Sequence, residues 1–325
     1  MNSHLEKHIL EITAAKKITG IEAVQAMWSG FGEIVRVELQ GGTVPTVMAK
    51  LMTLPTQAKH PRGWHSDLSS QRKLRSYAIE RHWYQHYAER CQTTCKVPGH
   101  YWSEISAEKM ALVMEDLTTA YPICPQHISL AQVKVVLDWL AQFHALHLSD
   151  PGDGLWPIGT YWHLDTRPDE LAAMNNSRLK EAAPHIDAAL NAAHFQTLVH
   201  GDAKLANFCF DETGTQVAGV DFQYVGRGCG VKDVAYFFSS CLAEEDFDRH
   251  SPPLLSYYFE QLHKALQTQA RQLDFPALER EWRQLYPYAW ADFHRFINGW
   301  SPDHWKLNGF MHAQTEQVLL ELGIQ

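Results

Sequence analysis

The chain has 325 residues and a formal net charge of −9, with 45% apolar and 20% charged residues. This balance is that of an ordinary globular protein, long enough for two lobes, each with its own core, that meet at a cleft. An acidic chain lacks the lysine and arginine excess that neutralises a phosphate backbone, which argues against nucleic acid as a partner and is compatible with a cationic small substrate.

The first hundred or so residues read as strands interrupted by one helix. Residues 34–39 alternate apolar and polar, Gln40-Gly41-Gly42-Thr43 turns the chain, and 46–52 is a second extended run, which together form a hairpin pattern. Residues 55–67, with two prolines and a glycine, predict a loop, and Ser66 or Asp67 can cap a helix running to about Arg90. Runs 98–104 and 109–115 read as two further strands. From about residue 118 the period changes. Val133, Val136, Leu137, Leu140, Phe143, His144 and His147 fall on one helix face, with both histidines reading as core residues. Further helices are predicted over 169–194, 231–246, 254–273, 277–294 and 308–322. The pattern is α+β: an N-terminal lobe, 1–116, with an antiparallel sheet plus one helix, and a larger, mostly helical C-terminal lobe, 117–325.

The exception to the helical pattern is 198–221, LVHGDAKLANFCFDETGTQVAGVD. Phe208-Cys209-Phe210 is an apolar run, Asp211-Glu212-Thr213-Gly214 a turn ending in glycine, and 216–220 is apolar-rich again, the signature of a β-hairpin. Folding it about Thr213 sets Asn207 beside Asp221 at the open end, with Asp202 five residues earlier on the entering loop. Hard oxygen ligands of this kind suit Mg²⁺, which is usually held by one or two protein groups together with substrate phosphates. Asp202, the group left over, can accept a proton from an attacking hydroxyl, so the parts that phosphoryl transfer needs are present. The plainer alternative makes these Asp and Asn residues simple turn formers. The joint spacing of His-Gly-Asp, an Asn five later and Val-Asp-Phe after a hairpin-sized gap weighs against it.

Through His200-Gly201-Asp202, Asn207 and Asp221-Phe222-Gln223, the chain resembles the aminoglycoside phosphotransferase and choline kinase-like superfamily. The Asp-Phe-Gln form, with Glu115-Asp116-Leu117 earlier, is most similar to the ecdysteroid kinase-like branch. The resemblance spans about residues 25–240 and implies a protein kinase-like two-lobed fold. It implies that Asp202 is the catalytic base, that Asn207 and Asp221 are magnesium ligands, and that His200 packs to hold the loop. Lys204 matches the lysine of protein kinase catalytic loops that approaches the transferred phosphate, although aminoglycoside-type enzymes often lack it. Asp233 resembles the helix-start aspartate that braces the catalytic loop through backbone hydrogen bonds, a position the helix dipole also favours.

The same resemblance directs attention to an ATP half of the site. Val47-Met48-Ala49-Lys50 ends a strand much as the Val-Ala-Ile-Lys motif does. Glu80 shares a helix face with Tyr77, Tyr84 and Tyr87, where a carboxylate is costly to bury unless it meets a cation, so Lys50 and Glu80 are expected to pair. Gly30 and Gly32, in Trp28-Ser29-Gly30-Phe31-Gly32-Glu33, would let backbone amides approach phosphate oxygens. Backbone groups of Glu115, Asp116 and Leu117, in the place of a hinge, could bind adenine; the alternative is an ordinary buried strand end. ATP and Mg²⁺ are the expected cofactors.

The acceptor is expected to be a small molecule carrying a hydroxyl or amine, bound by the helical lobe, with Tyr224, Arg227, Tyr236, Trp290, Asp292 and His294 as unranked candidate contacts. The acidic run Glu244-Glu245-Asp246 reads as a solvated helix end, with attraction of a cationic acceptor as the alternative. Two rival classes are a nucleotide-binding pseudokinase or scaffold, disfavoured because Lys50, Glu80, Asp202, Asn207 and Asp221 are all present, and a protein kinase. The chain lacks the His-Arg-Asp, Asp-Phe-Gly and Ala-Pro-Glu sequences of the latter. The six cysteines (Cys91, Cys95, Cys124, Cys209, Cys229 and Cys241) form no CxxC pair, the N-terminus lacks a signal-peptide apolar core, and no run approaches a membrane span. A reduced, cytoplasmic protein with no membrane partner is the expectation. The nineteen histidines show no HExxH or Cys/His ligand spacing.

Overall fold

A computed structural model describes residues 2–27, 32–53, 67–106 and 109–325, and the chain divides into two compact units, Met1–Pro122 and Ile123–Gln325. The first unit contains α1 (Ser3–Thr13), β1 (Lys17–Ala26), β2 (Gly32–Gln40), β3 (Thr46–Thr53), α2 (Asp67–His86), α3 (Ala88–Cys91), β4 (His100–Ile105) and β5 (Lys109–Glu115). Its five strands form one antiparallel sheet in the order β1-β2-β3-β5-β4.

The two alternating runs become β2 and β3, with Val35 opposite Ala49 and Val37 opposite Val47. These four and Val113 form one core with Leu5 and Ile9 of α1. A second core joins Met52 and Met110 to Tyr77 of α2. Successive strand residues point to opposite faces, so Lys50, two before Met52, projects toward α2. That alternation, together with the helix face carrying Tyr77, brings Lys50 and Glu80 together.

Two elements of this unit are not singled out by the sequence pattern. Helix α1 starts at Asn2, whose side chain accepts from the Leu5 N–H. Strand β1 is an edge strand exposed along most of its length and therefore lacks the alternation of a half-buried strand. The helix expected to run to Arg90 instead ends at His86 and is followed by the short α3. The expected cap Ser66 lies outside the described residues.

The second unit comprises α4 (Leu130–Leu146), α5 (Pro168–Ala173), α6 (Ser177–Asn191), β6 (Thr197–Val199), β7 (Phe208–Phe210), β8 (Val217–Gly219), β9 (Gly226–Gly228), α7 (Val231–Cys241), α8 (Phe247–Thr268), α9 (Phe275–Trp300) and α10 (Gly309–Glu321). A capping box between Ser129 and Gln132 starts α4. The apolar stripe of this helix is buried, as its period predicts, and α4 packs along α8.

The helix expected over 169–194 is two helices: Met174 is extended, and Asn176 caps α6 by accepting from the Leu179 N–H. Helix α7 stops at Cys241, where Leu242 turns extended. Helix α8 begins at Phe247 and contains Pro252 and Pro253, which the sequence reading took as lying before the helix. Among the described residues no helix is long and apolar enough to cross a membrane.

The predicted hairpin is β7–β8, with Phe208 opposite Gly219. Its buried side rests on α4, where Trp139 stacks on Phe143 and meets His200 and Phe208 edge-on. Gly219 lies against this indole, and a Cβ there would come 2.6 Å from the Trp139 ring. Overpacking of this kind costs about 1–3 kcal/mol. Gly219→Ala is therefore expected to lower the urea midpoint by that amount of stability, measured by tryptophan fluorescence.

Candidate active site

The loop after β6 is shaped by one glycine and one buried carboxylate. Gly201 has φ +78°, and a Cβ there would stand 2.1 Å from the Tyr224 carbonyl oxygen, so only glycine fits. Asp233, in the first turn of α7 and fully buried, accepts from the N–H groups of His200 at 2.6 Å and Gly201 at 3.0 Å. His144 of α4 lies 3.2 Å from the same carboxylate through Nε2, and its Nδ1 is 2.8 Å from the Tyr258 hydroxyl of α8. The core histidine of the sequence reading thus joins three helices behind the loop. His200 accepts from the Asp202 N–H on Nδ1 at 3.2 Å, which assigns the hydrogen to Nε2, 2.9 Å from the Val220 carbonyl.

Beyond this brace, Asp202, Lys204 and Asn207 converge. Asn207 Nδ2 donates to the Asp202 carbonyl at 2.8 Å and to Asp202 Oδ2 at 3.1 Å, and Lys204 Nζ donates to the same Oδ2 at 3.1 Å. Asp202 Oδ1 is buried and, among the described residues, makes no hydrogen bond of ordinary geometry, with the Tyr236 phenol close enough to feel the carboxylate. The ammonium of Lys204 is held charged, its pKa raised first by the Asp202 carboxylate.

The hairpin brings Asp221 alongside. The Val220 N–H donates to the Asn207 carbonyl at 3.0 Å, so Asp221 follows directly on the residue bonded to Asn207. Asp221 has φ +69°, a left-handed conformation that strains a non-glycine residue and persists only where surrounding structure enforces it. Its Oδ1 accepts from Gln223 Nε2 at 2.6 Å.

The donor types fit a hard cation: Nδ2 of Asn207 is committed to Asp202, which turns its amide oxygen away from that carboxylate, and Asp221 follows the hairpin residue whose N–H is bonded to the Asn207 carbonyl. Among the described residues, no three or more His, Cys, Asp or Glu side chains gather as a self-sufficient metal cage.

In the first unit, Lys50 Nζ meets both Glu80 carboxylate oxygens at 2.9 and 2.8 Å, and both residues are buried. Gly30 lies outside the described residues. Gly32 has φ +151°, and a Cβ there would stand 1.9 Å from the Leu51 carbonyl oxygen, so strand packing alone requires this glycine. The Glu115 carboxylate takes Lys96 at 2.6 Å and the Gly99 N–H at 2.9 Å. The Asp116 carboxylate takes the Thr118 hydroxyl at 2.6 Å, the Thr118 N–H at 3.0 Å and Arg36 at 3.0 Å; burial would raise its pKa, but these partners, the Thr118 hydroxyl first, hold it low. The Leu117 carbonyl accepts from Ala120 and Tyr121. Both carboxylates are thus committed to local structure, and the Leu117 carbonyl closes the turn that follows.

Lys306 is a buried pocket residue that the sequence reading did not single out. It lines an open pocket of about 320 Å³ with Cys124, Lys204, Leu205, Ser240 and Trp305. Its ammonium lies 4.7 Å from the Tyr236 ring centroid and 3.4 Å from the Ser239 hydroxyl. Burial pushes its pKa down to about 8, against the upward pull of Asp202. The phenols of Tyr161 and Tyr236 are held un-ionised, first by burial and further by Asp202. Lys306 stands in a loop without a local motif, so only tertiary folding reveals it.

None of the six suggested acceptor contacts, Tyr224, Arg227, Tyr236, Trp290, Asp292 and His294, lines this pocket, and Trp290, Asp292 and His294 are buried in the packing of α9. Asp292 is consumed by Arg295 at 2.7 Å, the Trp162 indole at 2.9 Å and Lys232 at 3.8 Å. Glu244 accepts from the Gly309 N–H at 2.8 Å, at the start of α10.

The antiparallel sheet with a larger helical part defines a kinase-like α+β protein. Comparison with solved structures agrees: an ethanolamine kinase from Plasmodium vivax superposes with a TM-score of 0.52 at 12% identity, covering 93% of this chain and 83% of that one. A protein assigned as a fructosamine-3-kinase, from Haemophilus somnus, gives a TM-score of 0.50 at 13% identity, covering 98% and 96%. At these identities the likeness is one of fold. The model of the ecdysteroid kinase-like family matches residues 163–270, about a third of the chain, including the loop, the hairpin and Asp233. In sequence the match is thus to the ecdysteroid kinase-like family over this segment, and the likeness to the small-molecule kinases is one of fold. No curated protein matches the chain in sequence.

Lys306 makes the pocket's electrostatics testable. With a pKa of about 8 folded and 10.5 for the free side chain, the folded protein binds fewer protons between those values, so stability rises with pH across that window. The cost is fully present below pH 8. Lys306→Met is expected to be more stable than the wild type at pH 7 by up to about 3 kcal/mol, with the gap closing toward pH 10. Urea denaturation of both proteins across pH 7–10 measures this.

Proposed function

We propose that the protein is an ATP-dependent kinase of a small molecule, with residues 1–116 serving the nucleotide and 117–325 serving catalysis and the acceptor. The observation that carries this reading is the joint arrangement of Asp202, Asn207 and Asp221 on a loop and hairpin braced by Asp233. When bound, Mg²⁺-ATP supplies the phosphoryl group and the neutralising charge.

Asp202 acts as the base: Oδ2 is fixed by Lys204 and Asn207, which leaves Oδ1 to take the proton of the acceptor's hydroxyl or amine. The Asn207 amide oxygen and the Asp221 carboxylate would hold magnesium. Lys204 would approach the transferred phosphate, and His200 keeps Asp202 aimed through its bond to the Asp202 N–H. Lys50, fixed by Glu80, would serve the nucleotide phosphates. The backbone amides at Gly30 and Gly32 would serve phosphate oxygens, and backbone groups of Glu115, Asp116 and Leu117 other than the Leu117 carbonyl would contact adenine. The setting is cytoplasmic.

The pocket beside Asp202 is bordered by two ammonium groups, Lys204 and Lys306. This supports a neutral or anionic acceptor over the cationic one that overall charge had left open.

Asp202→Asn is expected to lower turnover about 10²–10⁴-fold while ATP affinity changes little. Asp221→Ala is expected to remove magnesium-dependent ATP binding. Acceptor-dependent ADP release and calorimetric titration with ATP, with and without magnesium, read the two effects separately. Full turnover by Asp202→Asn defeats the assignment of the base.

A further inference from the structure

Beside the candidate active site, but outside the machinery described above, two thiols stand at a cross-strand position. Ile123 and Phe210 form an isolated antiparallel bridge and exchange both backbone hydrogen bonds, at 3.0 and 2.7 Å. In antiparallel register, the pair next to a hydrogen-bonded pair is a non-hydrogen-bonded one. Here that pair is Cys124 and Cys209. The Cα atoms of such pairs lie about 4.5 Å apart, inside the window of about 4.4–6.8 Å that a disulfide spans. The two sulfurs are 3.0 Å apart as free thiols. Cys124 is exposed and Cys209 half-buried, whereas Cys91, Cys95 and Cys229 are buried and Cys241 is half-buried. Backbone register and side-chain placement thus point to the same pair, eighty-five residues apart in sequence.

We propose that Cys124 and Cys209 are a reversible oxidation site that closes into a cross-strand disulfide on meeting a low-molecular-weight disulfide. The Cys124 thiolate attacks one sulfur of the small disulfide. Its S–S bond breaks, and the departing thiolate takes up a proton. The Cys209 thiol then loses its proton and attacks the Cys124 sulfur, expelling the second small thiol. Two protein thiols are oxidised by two electrons, and one small disulfide is reduced to two thiols. The new bond joins the 123–126 segment to β7, the strand that leaves Asn207. It forms in the wall of the pocket that also holds Lys204 and Lys306. The proposal does not depend on the kinase reading.

The test uses the full chain incubated with oxidised glutathione and analysed by mass spectrometry. The intact mass is expected to fall by about 2 Da with no adduct, peptide mapping to join Cys124 to Cys209, and dithiothreitol to restore the starting mass. In Cys209→Ser the reaction is expected to stop at a glutathione adduct on Cys124, and in Cys124→Ser no crosslink to Cys209 forms. The wild-type arm decides even where a variant folds poorly. Retention of all six thiols, a lasting adduct on Cys124 without a crosslink, or a crosslink between other cysteines overturns the proposal.

Discussion

The candidate active site hangs on the buried carboxylate of Asp233. An ionised carboxylate in a protein interior is costly unless its oxygens are satisfied. Here the backbone N–H groups of His200 and Gly201 point at its two oxygens, Oδ2 and Oδ1, and His144 lies on Oδ2 beside the His200 N–H. Charge-assisted bonds of this kind are stronger than neutral ones. They hold Gly201 in its left-handed turn, and that turn sets where Asp202 goes. Because Asp233 comes from α7, His144 from α4 and the Tyr258 behind it from α8, the loop geometry is tied to the packing of three helices.

A second tether approaches from the other side. The N–H groups of Thr160 and Tyr161 donate to the carbonyls of Tyr224 and Gly201, at 3.2 and 3.1 Å. The segment carrying them is anchored where Asp292 receives the Trp162 indole and Arg295 donates both to Asp292 and to the Trp162 carbonyl. Such a buried ionic cluster contributes less to stability than its contacts suggest, since desolvation opposes the Coulomb attraction. Removing one partner is costly, however, and its consequence here is positional: both flanks of the Gly201 turn are fixed by groups that cannot be left unpaired.

What the sequence made legible was local. The Asp202–Asn207–Asp221 arrangement follows from short spacings and one hairpin, and Lys50–Glu80 follows from a strand period of two meeting a helix face. Both need only nearest-neighbour geometry. Elements whose signal is tertiary were not legible. Strand β1 is exposed along most of its length, so its residues carry no alternation. Lys306 reaches the pocket from a loop a hundred residues beyond Asp202, and Cys124 meets Cys209 only through strand register. Arg295, three residues on, was a legible partner for Asp292, but Lys232 and the Trp162 indole, which complete its burial, come from distant segments. Helix ends moved where a cap outweighed the apolar period, as at Asn176, or where prolines were accommodated inside a helix, as in α8.

The central claim is that this loop and hairpin transfer phosphate rather than only resemble ones that do. The most direct measurement is ADP release by the wild-type protein, with ATP and Mg²⁺, across a broad panel of neutral, anionic and cationic alcohols and amines. The account predicts acceptor-dependent release, with mass spectrometry showing one phosphate added to the acceptor and the active compounds falling among the neutral or anionic members. Tight ATP binding with no release for any member of the panel would contradict it and make the protein a nucleotide-binding scaffold.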